Sequence, residues 1–203
     1  MEPQSPTTLE PGRLYRLAWG LYLGMALAGS LWIGLRQGVI PLGLFVDARE
    51  WWLDLLVGLG AALLLLGVWK GAERVFPLAR ELEGQLAQVL GPLTPVEVIA
   101  LALLSGFAEE LFFRGAVQGA FGLVPATILF ALLHSGPGRA FRLWTLFALA
   151  AGVLFGLLME WRGNLLGPMV AHFVVNGVNL LRLASSRDSG RLPPNRAEDE
   201  KER

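Results

Sequence analysis

The residues best suited to chemistry lie together near the end of an apolar segment. Glu109 and Glu110 are adjacent, and Arg114 follows Glu110 by four positions. The apolar run that contains them begins at Val96. Charged side chains at membrane depth each cost about 2.5–3.5 kcal/mol on insertion scales. We therefore expect this group of three charges to have a function.

In a helix these three side chains separate into two groups. Glu110 and Arg114 share a face, because residues four apart are neighbours on a helix surface, and they can form a structural ion pair. Glu109 is rotated by about 100° from Glu110 and has no partner in its own helix. We therefore expect Glu109 to face a cavity and to be free for chemistry.

The two histidines of the chain are the other candidates. His134 ends one apolar run, and His172 lies within the last one, where Asn176 and Asn179 extend its polar stripe at helical spacing. The ordinary role of a lone intramembrane His or Asn is to join helices. We assign this packing role to Asn179. The two histidines and the carboxylates instead fall in three of the last four apolar runs, which favours a shared site.

A carboxylate and two imidazoles that meet at one point allow two kinds of chemistry. They can bind a divalent metal such as zinc and leave one position open for water. They can also act without metal, with the carboxylate as the general base and an imidazole and an amide stabilising an oxyanion. The sequence alone leaves both alternatives open.

The composition is that of a polytopic membrane protein. Of 203 residues, 54% are hydrophobic and 17% are charged, whereas soluble domains are usually about 45–50% apolar and about 25% charged. The absence of cysteine excludes disulfides, thiolate catalysis and Cys-ligated zinc. A net charge of +0 gives no argument for nucleic acid as a partner. The expected partner from composition is the lipid bilayer.

Apolar runs predict an all-α fold with about six transmembrane helices. The first run reads as a retained anchor and not a signal peptide, because it continues to Leu35 and is long enough to span. Thr94, Pro95 and Glu97 are residues of the types that are common at the start of a helix. The fourth run is short for a full span. The predicted spans are residues 14–35, 51–69, 95–119, 123–135, 143–159 and 164–183.

Residues 70–94 are polar enough to leave the membrane, and their apolar side chains recur at helical spacing. This pattern predicts an amphipathic helix at the membrane interface that serves as a connector, with substrate gating as the alternative. The apolar positions are Leu78, Leu82, Leu86, Val89 and Leu90.

These patterns divide the chain into three regions. Residues 1–94 hold a tail, two spans and the interfacial helix, residues 95–183 hold a core of about four helices, and residues 184–203 form a charged, disordered tail. With six spans, 13 of the 17 Lys and Arg residues lie on the N-terminal side. This distribution predicts that both termini are cytoplasmic and that the protein is integral to the plasma membrane.

Three patterns together resemble the CPBP family of intramembrane proteases, which includes the CAAX prenyl endoproteases of the Rce type and bacterial Abi-type proteins. The resemblance covers residues 95–183, and the first two spans contribute nothing to it. Each pattern alone is weak, whereas the ordered set is specific. The patterns are Glu109-Glu110-x-x-x-Arg114, Phe130-x-x-x-His134 and His172-x-x-x-Asn176.

The resemblance implies an all-helical membrane fold whose conical cavity opens to the cytoplasm or the bilayer. It also implies hydrolysis of peptide bonds in membrane-associated or prenylated, CAAX-like substrates. By this resemblance Glu109 activates water and His134 helps to position that water. The supporting pair is Glu110 and Arg114, and the oxyanion-stabilising pair is His172 and Asn176.

The family has been described both as metalloproteases and as glutamate-dependent proteases that need no metal. In the first case Glu109, His134 and His172 would bind zinc or another divalent cation. Two other functions are weighed against an endopeptidase. A non-catalytic membrane immunity or scaffold protein is disfavoured because no signature residue is replaced. A small proton-coupled transporter is disfavoured because the two halves of the chain show no repeat.

Overall fold

The chain folds entirely into helices within residues 13–90 and 93–188, which are the residues that this computed structural model describes. This confirms the predicted all-α class. A π-helical segment, Leu111–Gln118, continues α4, and one 3-10 turn, Leu42–Leu44, follows α1. The α-helices are α1 (Arg13–Gln37), α2 (Trp51–Val75), α3 (Pro77–Leu90), α4 (Pro95–Glu110), α5 (Gly119–Phe121), α6 (Leu123–Leu133), α7 (Arg139–Arg162) and α8 (Leu166–Asp188).

Among the described residues, three helices are long and apolar enough to cross a membrane. They comprise α1 from Tyr15 onward, α2 and α7. The apolar helix α6 has only 11 residues. Of the other two predicted spans, α4 has only 16 residues before the π-helical segment begins, and α8 contains polar side chains of the candidate site. The structure thus supports an integral membrane protein and identifies three of the six predicted spans by length and hydropathy.

The helix that carries the adjacent glutamates begins where the sequence predicts. The backbone N–H of Thr94 donates to Oε2 of Glu97 (2.8 Å), and the backbone N–H of Glu97 donates to Oγ1 of Thr94 (3.3 Å). This reciprocal capping box, followed by Pro95, satisfies amide groups that the first turn would leave unpaired. From this start a helix rises about 21 Å to Glu109.

Two helices continue past their predicted ends. α2 extends beyond Trp69 to Val75, and α8 extends to Asp188, so residues 184–188 are helical although a disordered tail was predicted to begin there. In the extended part of α2, Glu73 binds Arg182 of α8 at 2.7 Å. The other residues of the predicted tails, 1–12 and 189–203, lie outside the described residues.

The predicted amphipathic helix is present as α3, and it packs against the bundle. Its buried residues Ala79, Leu82 and Ala87 form the face toward α2, α7 and α8. Of the predicted apolar stripe, Leu82 is buried and Leu78 and Leu86 are half-buried, whereas the side chains of Val89 and Leu90 lie outside what the structure describes.

Close contact between α4 and α8 fixes their register. A Cβ at Gly106 of α4 would lie 3.1 Å from the backbone nitrogen of Phe173 in α8. Only glycine permits this approach without displacement, since real Cβ atoms rarely come so close. The close approach sets the residues that follow Gly106 beside the N-terminal half of α8.

Candidate active site

A cavity of about 410 Å³ lies among α1, α2, α3, α4, α6, α7 and α8. Most of its wall is aromatic or aliphatic. Four of the predicted site residues line it from three different helices: Glu109, His134, His172 and Asn176. The structure therefore brings together residues that the chain separates by up to 67 positions.

Glu109 and His134 face each other across the cavity. Oε2 of Glu109 is 3.8 Å from Nε2 of His134. That distance is too long for a direct hydrogen bond and leaves a gap that one small molecule can bridge. Glu109 is 6% exposed, and the prediction that it turns away from the Glu110–Arg114 pair toward a cavity is confirmed.

The proton of neutral His134 is assigned by its other hydrogen bond. Nδ1 donates to the carbonyl oxygen of Phe130 at 2.8 Å. Because a carbonyl oxygen only accepts, Nδ1 must carry the hydrogen, and Nε2 presents a lone pair toward Glu109. The pattern Phe130-x-x-x-His134 therefore orients the imidazole through one helical turn.

Glu110 is fully buried and binds two partners with one oxygen. Its Oε1 accepts a hydrogen bond from Nη1 of Arg114 (3.1 Å), which confirms the predicted ion pair. The same oxygen accepts a hydrogen bond from Nδ1 of His172 (2.7 Å). This second contact leaves Nε2 of His172 as the ring nitrogen available to the cavity. Glu110 therefore orients an imidazole as well as neutralising Arg114.

Arg114 is held by aromatic rings and by a backbone carbonyl. Its guanidinium lies 4.3 Å from the ring centre of Phe130 and 5.3 Å from that of Phe155, distances typical of cation–π contacts. Its Nη2 donates to the carbonyl oxygen of Gly152 at 3.3 Å. Arg114 belongs to the π-helical segment, a geometry that is frequent at functional sites.

Two residues that the sequence analysis did not assign to the site contribute to it. Oγ of Ser105 accepts a hydrogen bond from the amide of Asn176 (2.9 Å) and donates to the carbonyl oxygen of Ala102 (3.3 Å). Its position one turn before Glu109 was the available signal. Tyr22 of α1 also lines the cavity. A tyrosine in an apolar helix has no spacing to other polar residues that would assign it to the site.

The donor atoms suit a divalent cation, but their spacing does not. Both imidazoles use Nδ1 for a hydrogen bond and leave Nε2 free, as metal-binding histidines do. Among the described residues, however, no three His, Asp or Glu side chains are grouped closely enough to hold a metal ion. Catalytic zinc sites need three protein ligands. We therefore derive no catalytic step through a metal bound by Glu109, His134 and His172.

Comparison with known proteins gives two matches. Residues 91–178 match the family described as type II CAAX prenyl endopeptidase, Rce1-like, and this stretch contains all six predicted catalytic residues. The uncharacterized protein YpbD of Bacillus subtilis (strain 168) is 45% identical over 83 residues, which are 40% of this chain and 42% of that relative. The chain thus matches less than half the length of this relative. No solved structure matches the chain significantly.

Proposed function

We propose that this chain, in which residues 91–178 form a domain of the Rce1-like type II CAAX prenyl endopeptidase family, is an intramembrane endopeptidase. The observation that carries the proposal is the pair of Glu109 and His134, 3.8 Å apart in a cavity enclosed by apolar helices. A carboxylate and an imidazole separated in this way can hold one water between them. Activation of a water is the first requirement of peptide hydrolysis.

In the proposed reaction Glu109 acts as the general base. It removes a proton from the water, which His134 orients by accepting a hydrogen bond at Nε2. The resulting hydroxide attacks the carbonyl carbon of the scissile peptide bond. Protonated Glu109 then delivers its proton to the amide nitrogen, the C–N bond breaks, and an amine and a carboxylic acid leave.

The negative charge that develops on the carbonyl oxygen must be stabilised by hydrogen-bond donors. His172 and Asn176 line the same cavity, one turn apart on α8. His172 donates to the oxyanion as the imidazolium, which carries a hydrogen on Nε2 while its Nδ1–H is held by Glu110. This imidazolium and the Asn176 amide, which is held by Ser105, are preoriented before substrate binds, and such donors stabilise an oxyanion strongly in a site shielded from bulk water. Arg114 and Glu110 do not line the cavity and act by holding His172.

The proposed substrates are membrane-associated peptides or proteins, including prenylated, CAAX-like ones. An apolar wall that includes Trp144 and Phe147 suits hydrophobic or lipid-modified segments. We further infer a plasma-membrane protein with cytoplasmic termini and a cavity that opens on that side. Residues in the N-terminal halves of α1 and α7 and in the C-terminal halves of α2 and α8 line the cavity, which supports an opening on the same side as the termini.

Cleavage of membrane-anchored peptides by the purified protein tests the proposal. Each peptide would be offered with and without a prenyl group. Glu109→Gln is expected to lower kcat by about 10²–10⁴-fold, the contribution of a positioned general base, and His134→Ala to lower it strongly. Glu81→Gln, a matched change on an exposed carboxylate of α3, should cleave like wild type.

Three results distinguish the alternatives. Wild-type rates in Glu109→Gln would overturn the assignment of the base. Folded wild-type protein that cleaves no peptide but carries protons across liposomes would support the transporter. Activity that is lost with a chelator and regained with Zn²⁺ would show a metal-dependent reaction.

A further inference from the structure

One face of α1 packs along the helix that bears the candidate base. Ala18, Tyr22, Gly29 and Ile33 recur on this face at helical spacing. A Cβ at Gly29 would lie 3.1 Å from Cα of Phe112, and Ile33 is fully buried. The contact fixes the position of α1 along α4 and the π-helical segment. The N-terminal part of the same face, Ala18 and Tyr22, lines the cavity.

Tyr22 carries the polar group of this face. Its neighbours on the face include Met25 and Ala26, which pack into apolar clusters. Tyr22 and Glu109 line the same cavity, and the Tyr22 hydroxyl is close enough to the Glu109 carboxylate for the two groups to interact. A hydroxyl in a site this apolar needs such a partner, because an unsatisfied polar group in an apolar environment is costly.

Glu109 needs an external restraint. It has no hydrogen-bonding partner on its own helix among the described residues, and its distance of 3.8 Å to His134 is not a direct hydrogen bond. A glutamate side chain has several rotatable bonds, whereas a general base works only when it is held within reach of the proton it removes. Glu110 is restrained by Arg114 and His172, but Glu109 is not.

We propose that Tyr22 is a positioning residue of the hydrolytic site: its O–H donates a hydrogen bond to the Glu109 carboxylate and holds it toward the water and His134. This inference rests on the proposed function. Tyr22 lies outside residues 91–178, so the site is completed by a helix that precedes the matched domain. The catalytic unit therefore includes α1.

Tyr22→Phe tests the role, because it removes only the hydroxyl and keeps the ring. We expect kcat to fall by about 10–100-fold, the size of effect that a misplaced catalytic group produces, while KM stays within about twofold. The matched control is Tyr15→Phe, since the other tyrosine of the chain lies in the same helix and packs on Trp19. An unchanged kcat in Tyr22→Phe, or an effect confined to KM, would refute the positioning role.

A second measurement needs no substrate. The Tm values of Tyr22→Phe, Glu109→Gln and the double variant form a cycle, and the two changes should be non-additive if the side chains interact. Tyr15→Phe combined with Glu109→Gln should be additive. Additive shifts for Tyr22 and Glu109 would overturn the inference even in a fully active enzyme.

The two proposals fail in different ways. If the folded wild-type protein cleaves no peptide, the proposed function fails, whereas the Tm cycle still tests the contact between Tyr22 and Glu109. If Glu109→Gln cleaves like wild type, the assignment of Glu109 as the base fails and the role of Tyr22 fails with it. If cleavage requires Glu109 and Tyr22→Phe is fully active, only the role of Tyr22 fails.

Discussion

At the scale of single residues, Glu110 is the side chain on which the others depend. One of its oxygens receives both Arg114 and His172, and its other oxygen, Oε2, has no partner among the described residues. The adjacent Glu109 faces the cavity instead. Two neighbouring carboxylates thus differ in their surroundings: Glu110 holds Arg114 and His172, and Glu109 faces the cavity.

The loss of stability on replacing Arg114 measures how strongly the buried Glu110 depends on its cation. Arg114→Met would leave Glu110 buried without its cation, and breaking a buried pair in this way typically costs about 3–5 kcal/mol. We expect a large fall in Tm in detergent and a partial recovery in the double variant Arg114→Met/Glu110→Gln. Arg74→Met, at an exposed position in α2, is the control. An Arg114→Met protein that melts like wild type would contradict the role assigned to the pair.

Residue contacts differ in how far the sequence can predict them. The Glu110–Arg114 pair follows from helical spacing alone. The contact of Glu110 with His172 spans 62 positions and depends on how α4 and α8 pack, which spacing does not determine. Tyr22 lacks even a polar neighbour on its own helix face, so only the packing of α1 against α4 reveals it.

At the scale of helices, small residues set the distances between the elements that carry the site. Gly106 lies one turn before Glu110 and admits the backbone of α8 at Phe173. His172 precedes Phe173 and is thereby brought to the Glu110 carboxylate. A side chain at position 106 would push α8 away from the carboxylate that orients its imidazole.

Gly106→Ala is therefore expected to reduce both stability and activity. The added methyl would meet the backbone of α8, and such overpacking typically costs about 1–3 kcal/mol. Gly20→Ala is the matched control, because a Cβ at Gly20 of α1 would meet no atom within 4 Å, and alanine favours helix. Thermal unfolding and cleavage rates check both variants. Equal Tm and activity for Gly106→Ala and wild type would disprove the proposed close packing.

At the scale of the whole molecule, charge and hydropathy predict the class of fold better than they predict the residues at which its helices end. The helices α1, α2 and α7 can be predicted from the length of their apolar segments, because lipid-facing helices must be apolar. The ends of α2 and α8 do not follow, because both helices continue beyond their apolar stretches into polar residues, where Glu73 of α2 forms an ion pair with Arg182 of α8. Their C-terminal turns lie together only in the folded bundle.

The orientation of the molecule can be tested with single cysteines, since the chain contains none. Glu81→Cys, at an exposed position of α3, should react with a membrane-impermeant maleimide only from the cytoplasmic side. Arg49→Cys, exposed in the connection between α1 and α2, should react only from the opposite side. Labelling of both cysteines from one side would refute the proposed orientation.

The short helix α6 has a consequence for hydration. Its 11 residues span about 17 Å, roughly half of a hydrocarbon layer that is about 30 Å thick. The chain must therefore change direction inside the layer at one or both ends of α6. Irregular backbone at such depth is stable only against protein or water, and the end that carries His134 borders the cavity. We therefore expect water to reach Glu109 through the end of α6 that carries His134, because both residues line the same cavity.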